Sequence, residues 1–210
     1  NLEESIMLQN YANTHDLKIV NITDEKYLTN LVITGVNFET RLRAFYRIKK
    51  EDNLIKIAFF SKDNEIREMA VELIEDELAL VAIFYIDPCD YVKEAIARKI
   101  KNENQLKSIV NNKAFNEYVR AEAVKGIKDE DFLVNVILTD SSNEVREQAA
   151  NLINDEEILK IIACYDSCWF VRRAAIRKIK DKGFLFSIMY KVDNERIKKI
   201  ITDKLLLKNA

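Results

Sequence analysis

Hydrophobic and polar positions recur along this chain in a frame of 26 residues. The frame is plainest in DSSNEVREQAANLINDEEILKII, residues 140–162, and again in DSCWFVRRAAIRKIKDKGFLFSI, which begins at residue 166. With the Val of each Val-Arg pair as anchor, equivalent positions fall at Thr14, Thr40, Ile66, Val92, Val119, Val145, Val171 and Ile197. Every step is 26 residues except one of 27, from Val92 to Val119. Four residues after the anchor stand Lys18, Ala44, Ala70, Ile96, Ala123, Ala149, Ala175 and Ile201. Eight after stand Ile22, Ile48, Ile74, Ile100, Ile127, Ile153, Ile179 and Leu205. Fourteen after, the column is leucine in all seven units that reach it: Leu28, Leu54, Leu80, Leu106, Leu133, Leu159 and Leu185.

Apolar residues at zero, four and eight share one face of an α-helix, and those at 14, 17 and 18 share one face of a second. The pattern therefore predicts two short helices per unit. Between them runs a polar column, Asp24, Asp76, Asn102, Asp129, Asp155 and Asp181, with Lys50 as the exception. Asp and Asn are preferred helix N-caps. The glutamates that follow, Glu25, Glu77, Glu103, Glu130 and Glu156, suit the positive end of a helix dipole. Three residues before the anchor stand Asp63, Cys89, Asn116, Ser142, Cys168 and Asn194, four of them capping types. A helix of about ten residues is marginal alone, so each unit must bury its stripe against its neighbours, which gives a solenoid with one continuous core.

Composition narrows the function classes. Three glycines and one proline disfavour a turn-rich sheet fold. No apolar run approaches the roughly 20 residues of a membrane span. The start NLEESIMLQN lacks the basic and apolar regions of a signal peptide. Three cysteines, an odd number, fit a reducing compartment, so the expected location is cytoplasmic. Leu2 and Ile6 fall on second-helix positions of a preceding unit, and Leu207 stands where a capping Asp is expected. Atypical end caps or a longer parent chain explain both. The net charge of −2 hides a split, with residues 1–165 at −9 and residues 166–210 at +7.

The frame of Asp140 to Arg146 and Asp166 to Arg172, followed by Ala, Ile and a second helix with Leu and Ile, resembles HEAT and armadillo repeats. The unit is shorter than the 40–47 residues usual there. It is closer to compact HEAT-like repeats, and is also similar to leucine-rich-repeat variant proteins, whose turns are proline-rich where this chain has only Pro88. The expected fold is all-α: a right-handed α-solenoid of about eight 26-residue two-helix HEAT-like repeats, forming a single domain over residues 1–210. The resemblance implies scaffolding or macromolecule binding. Some HEAT-like proteins are enzymes, namely certain DNA glycosylases and bilin lyases, but no motif of theirs aligns here.

Candidate binding residues lie at positions that the frame leaves outside its buried columns. One after the anchor runs a basic column: Arg41, Arg67, Lys93, Arg120, Arg146, Arg172 and Lys198, with His15 in the first unit. It reads as a structural ladder in which each Arg bonds a carboxylate or a carbonyl of the preceding turn, with the acid present in Asp87/Lys93, Asp140/Arg146 and Asp166/Arg172 but not in Ala114/Arg120; a stripe for phosphates or an acidic peptide is the alternative. Arg173, Arg177 and Lys180 stand where unit three carries Glu68, Glu72 and Glu75; they read either as an ordinary solvated face or, with Lys178 and Lys199, as a C-terminal basic patch for an anionic partner. Trp169, Tyr91, Tyr118 and Phe170 stand at the mouths of anchor helices, as staples that close the turn or as anchors in a groove. Trp169 beside Arg172 and Arg173 is the leading spot. Cys164 and Cys168 lack neighbouring ligands, and neither a Gly-rich phosphate loop nor a triad is present, so no catalytic residue, metal or cofactor is expected. The expected function is a non-catalytic protein-binding scaffold using its concave surface, with a protein or peptide partner of acidic character at the C-terminal patch. The alternative is a nucleic-acid-binding module, DNA-glycosylase-like in its chemistry, that uses the same patch.

Overall fold

The structure, a computed structural model, describes residues 22–192 and 194–206. The anchor Thr14, His15, Leu2, Ile6 and Leu207 lie outside these. Fourteen α-helices and no strand occur among the described residues: α1 Glu25–Thr34, α2 Phe38–Phe45, α3 Glu51–Phe60, α4 Asn64–Leu73, α5 Glu77–Ile86, α6 Asp90–Lys99, α7 Glu103–Asn111, α8 Glu117–Val124, α9 Glu130–Thr139, α10 Asn143–Leu152, α11 Glu156–Tyr165, α12 Trp169–Lys178, α13 Lys182–Met189 and α14 Glu195–Leu206. The even-numbered helices carry the anchors. Two compact units divide the chain, Asn1–Lys99 and Ile100–Ala210.

Within each unit the helices pack as the frame requires. In the first, α1 packs on α2, α3 on α4 and α5 on α6, while anchor helix α4 packs on α6. In the second, α7 packs on α8, α9 on α10, α11 on α12 and α13 on α14, while α8 packs on α10, α10 on α12 and α12 on α14. Every anchor from Ile66 to Ile197 is fully buried. All seven leucines of the +14 column are buried too, each worth about 1.5–3 kcal/mol of transfer free energy. At +4, Ala44, Ala70, Ala123, Ala149 and Ala175 are completely covered. Their small side chains let anchor helices approach closely. The arrangement of successive helix pairs is that of an all-α solenoid.

The polar column caps the second helix of each pair. Asp24, Asp76, Asn102, Asp129, Asp155 and Asp181 each accept a backbone N–H from the first turn of the helix they precede. Lys50 caps nothing. Before the anchor helices, Asn37, Asn116 and Asn194 cap. Asp63 and Ser142 are capping types that make no side-chain cap, because the Asp63 carboxylate is taken by Arg41.

The ladder bears out the carbonyl expected of the preceding turn and corrects the carboxylate. Arg146 and Arg172 bond the backbone carbonyls of Asp140 and Asp166, not their carboxylates. Arg41, Arg67, Arg120 and Arg146 reach forward to the acid of the following turn. Arg41 donates from Nε and Nη2 to Asp63 at 2.5 and 3.0 Å and from Nη1 to Gly35 O at 2.7 Å. Arg67 repeats this on Asp87, at 2.6 and 3.0 Å, and on Ser61 O. Arg146 does so on Asp166, at 3.0 and 3.1 Å, and on the carbonyl of Asp140. Each acid also folds its own turn: Asp87, Asp140 and Asp166 accept from the N–H two residues on. The unit with the extra residue departs from the rule. There Arg120 and Lys113 both bond Asp140, and the Arg120 Nε turns to Phe115 O.

A second ladder runs through the glutamates. Glu51 accepts the backbone N–H groups of Glu75 and Asp76 at 2.6 and 2.8 Å. Glu130 accepts those of Asn154 and Asp155, and Glu156 those of Lys180 and Asp181. Glu25 and Glu103 do the same on Lys49 and Lys50, and on Lys128 and Asp129. Each carboxylate thus clamps the turn between the helices of the next pair. Donation by Asn154 and then Asp155 holds the Glu130 carboxyl below the usual carboxylate range. Donation by Asp181 and then Lys180 does so for Glu156.

Candidate functional site

The second unit carries the richest surface chemistry, at the N-terminal ends of α8, α10 and α12. Helix α12 opens with Trp169 and Phe170, whose rings lie 3.9 Å apart at 32°. One turn on, the Arg173 guanidinium sits 5.2 Å from the Trp169 ring and 4.9 Å from that of Phe170. Arg196 of α14 sits 5.4 Å from Trp169. Arg173 also donates to Glu147 of α10 at 2.8 Å, while its Nε is buried without a partner. The residue at +2 of one anchor helix thus meets the residue at +2 of the helix before it, which brings the rings over the seam between them. Arginine on an aromatic face in a partly dry setting is held by the ring quadrupole as well as by the carboxylate.

Next to this stack lies an open cleft of about 420 Å³. Glu117 and Tyr118 come from α8, Asn143, Glu144 and Glu147 from α10, and Phe170 from α12. Ser141 and Ser142 complete it. Tyr118 and Phe170 are 54% and 41% exposed, so both rings keep apolar area in water. On the other side of Trp169, a shallow depression of about 390 Å³ is shared with Asn194, Glu195 and Arg196.

The predicted basic residues separate into two groups. Arg172 is structural in its contacts, donating to the carbonyls of Asp166 and Ser167 at 2.7 and 3.1 Å. Lys178 is half-buried and donates to Asn151 O at 2.8 Å and to the Asn154 side chain at 3.3 Å. It closes the C-terminus of α10, where a cation suits the helix dipole; burial pushes its amine below the ordinary range, with Glu130 working the other way. Lys99 does the same for Glu72 O and Lys204 for Arg177 O, which makes a third ladder that the sequence reading did not anticipate. Arg177, Lys180 and Lys199 are exposed. Tyr91 is 67% exposed near the start of α6 in the first unit and is not part of the cleft.

No protein-family model, curated protein or solved structure matches the chain. What the surface can do chemically therefore follows from its residues. Among the described residues no three His, Cys, Asp or Glu side chains stand close enough to hold a metal ion, and no helix is long and apolar enough to cross a membrane. Trp169, Arg173 and Tyr118 were legible in the sequence as candidates, but Glu117, Glu144 and Glu147 as their neighbours were not. The signal for Glu117 and Glu144 lay in the columns one and two before the anchor, read across units as Glu117-Tyr118, Asn143-Glu144 and Trp169-Phe170, and that for Glu147 in the column two after it, which it shares with Arg173.

Proposed function

We propose that the chain is a HEAT-like helical-repeat module that binds an extended protein segment, without catalysis, across the N-terminal ends of α8, α10 and α12. The observation that carries this reading is the stack of Trp169, Phe170 and Arg173 beside the exposed Tyr118. Tryptophan, tyrosine and arginine dominate the energetics of protein interfaces. The Glu147 and ring contacts hold Arg173 in place before a partner arrives, which lowers the ordering cost of binding. Arg177, Lys180 and Lys199 supply an anionic contact beside it, which suits an acidic stretch in the same partner.

Those three exposed cations also support a second reading, a nucleic-acid contact. The ladders weaken it, because Arg41, Arg67, Arg120 and Arg146 are buried on carboxylates and carbonyls and offer phosphates nothing. The test is affinity capture with wild type, Trp169→Ala and Arg177→Glu/Lys180→Glu, alongside titration of labelled oligonucleotides at two salt concentrations. A protein retained by wild type and weakened by about 30-fold or more in Trp169→Ala is the expected result. Oligonucleotide binding that falls steeply with salt and vanishes in the double variant would replace the first reading by the second.

A further inference from the structure

We propose that the cleft between Tyr118 and Phe170 receives a basic side chain, arginine or lysine, from the bound segment. This rests on the peptide-binding reading above and gives the partner a residue that the basic patch alone would not suggest: a cation seated next to a surface expected to attract anions.

The charge of the cleft decides its occupant. Glu117, Glu144 and Glu147 all line it, and no Lys or Arg does. Glu147 is offset by its 2.8 Å pairing with Arg173. The N-termini of α8, α10 and α12 all open here, and each brings roughly half a positive charge. Glu117 and Glu144 carry two full negative charges against them, so the cleft stays net negative by a narrow margin. One wall points the same way, since the exposed ring of Tyr118 attracts cations on its face. Phe170 already hosts the guanidinium of Arg173 at 4.9 Å, which shows how this ring is used within the chain itself.

A compact metal ion is not the match, because no three carboxylates among the described residues stand close enough to hold one. The match is a long cation with an apolar stem, which lays methylenes along a ring and carries its charge to separated carboxylates. The open volume of about 420 Å³ is ample for one such side chain. Column register gives the reason: Tyr118, Glu144 and Phe170 hold the same place in three successive units, one before the anchor. Stacking therefore lays aromatic, acid and aromatic in a row, each on its own helix.

The experiment is NMR titration of the ¹⁵N-labelled full chain with acetyl-Gly-Arg-Gly-amide, and separately with acetyl-Gly-Glu-Gly-amide. Saturable shifts of the Tyr118, Asn143, Glu144 and Phe170 amides are expected with the arginine peptide and not with the glutamate peptide. Glu117→Gln/Glu144→Gln should weaken the response by about fivefold or more. These side chains are exposed and half-buried respectively and lie outside the ladders, so the fold should hold. Tyr118→Leu, which keeps apolar volume and removes the exposed ring, should weaken it too. No saturable shift, an equal response to both peptides, or indifference to the Gln pair would overturn the proposal. A protein partner lost in Trp169→Ala yet unaffected by the Gln pair would leave the peptide-binding reading standing and this inference refuted.

Discussion

At the scale of single residues, the Arg67–Asp87 pair shows what the ladder costs and what it secures. Both groups are nearly fully buried, at 8% and 4% exposure, and the guanidinium meets the carboxylate as a fork. Removing one partner leaves an uncompensated buried charge, at a cost of about 3–5 kcal/mol. Arg67→Ala should therefore lower stability by that order in chemical denaturation. Arg67→Met/Asp87→Leu should be close to neutral, because an apolar pair carries no desolvation penalty. A double variant as unstable as the single would show that the Asp87 bond to Cys89 N–H, or the Arg67 bond to Ser61 O, matters more than the pair. Arg67→Lys is no substitute, since a point charge cannot bridge two oxygens and a carbonyl at once.

At the scale of elements, the glutamate clamps tie each helix pair to the next and make the fold sensitive to acid. The Glu130 and Glu156 carboxyls are held below their ordinary range by backbone donors. Burial pushes the Asp140 carboxyl up, but Lys113, the Ser142 N–H and Arg120 outweigh it and hold it below the usual range. A group depressed in the folded state contributes its full stability above the unfolded pKa, roughly 4 for these acids, and loses it as pH falls through the folded value. The melting temperature should thus be flat from neutral pH to about 5 and fall below it. Glu130→Gln keeps an acceptor for Asn154 and Asp155 but cannot titrate. It should shallow that fall in a melting series, while the loss at neutral pH stays small. The helices, caps and core columns were legible in the sequence because each depends on spacing within one helix or turn. The Leu28-to-Leu185 column, for example, is buried at all seven places. The clamps were half legible: the glutamate column was visible, but its partners lie 24 to 26 residues away on the next pair. The forward reach of Arg146 to Asp166, not to the nearer Asp140 carboxylate, was illegible for the same reason, because it depends on how pairs stack.

At the scale of the whole molecule, the two units differ in charge, with residues 1–99 at −5 and residues 100–210 at +3. The −2 of the full chain is thus the sum of an acidic part and a basic part. The candidate cleft runs against the sign of its own unit, which is why overall charge gave no hint of it. Side chains that the frame leaves outside the core are also uneven. Leu138, Ile161 and Tyr165 on α9 and α11 are 75%, 55% and 82% exposed, at positions outside the columns 14, 17 and 18 after the anchor. The ladders carry a last consequence for how such a chain can change length. Every clamp is counted in residues: Glu130 finds its donors 24 and 25 places on, and Arg146 its acid 20 places on. Excising residues 130–155 joins Asp129 to Glu156, as Asp155 joins it now, and brings Asp166 into the place of Asp140 opposite Arg120. Removal of that one period should leave a shorter chain that still melts cooperatively. Removal of one residue more or fewer should lower the melting temperature further, because the rungs that span the junction would meet partners one place out of register, while rungs wholly on either side keep theirs. The 26-residue unit is in that sense a splice-compatible module, and its reading frame is written in carboxylates.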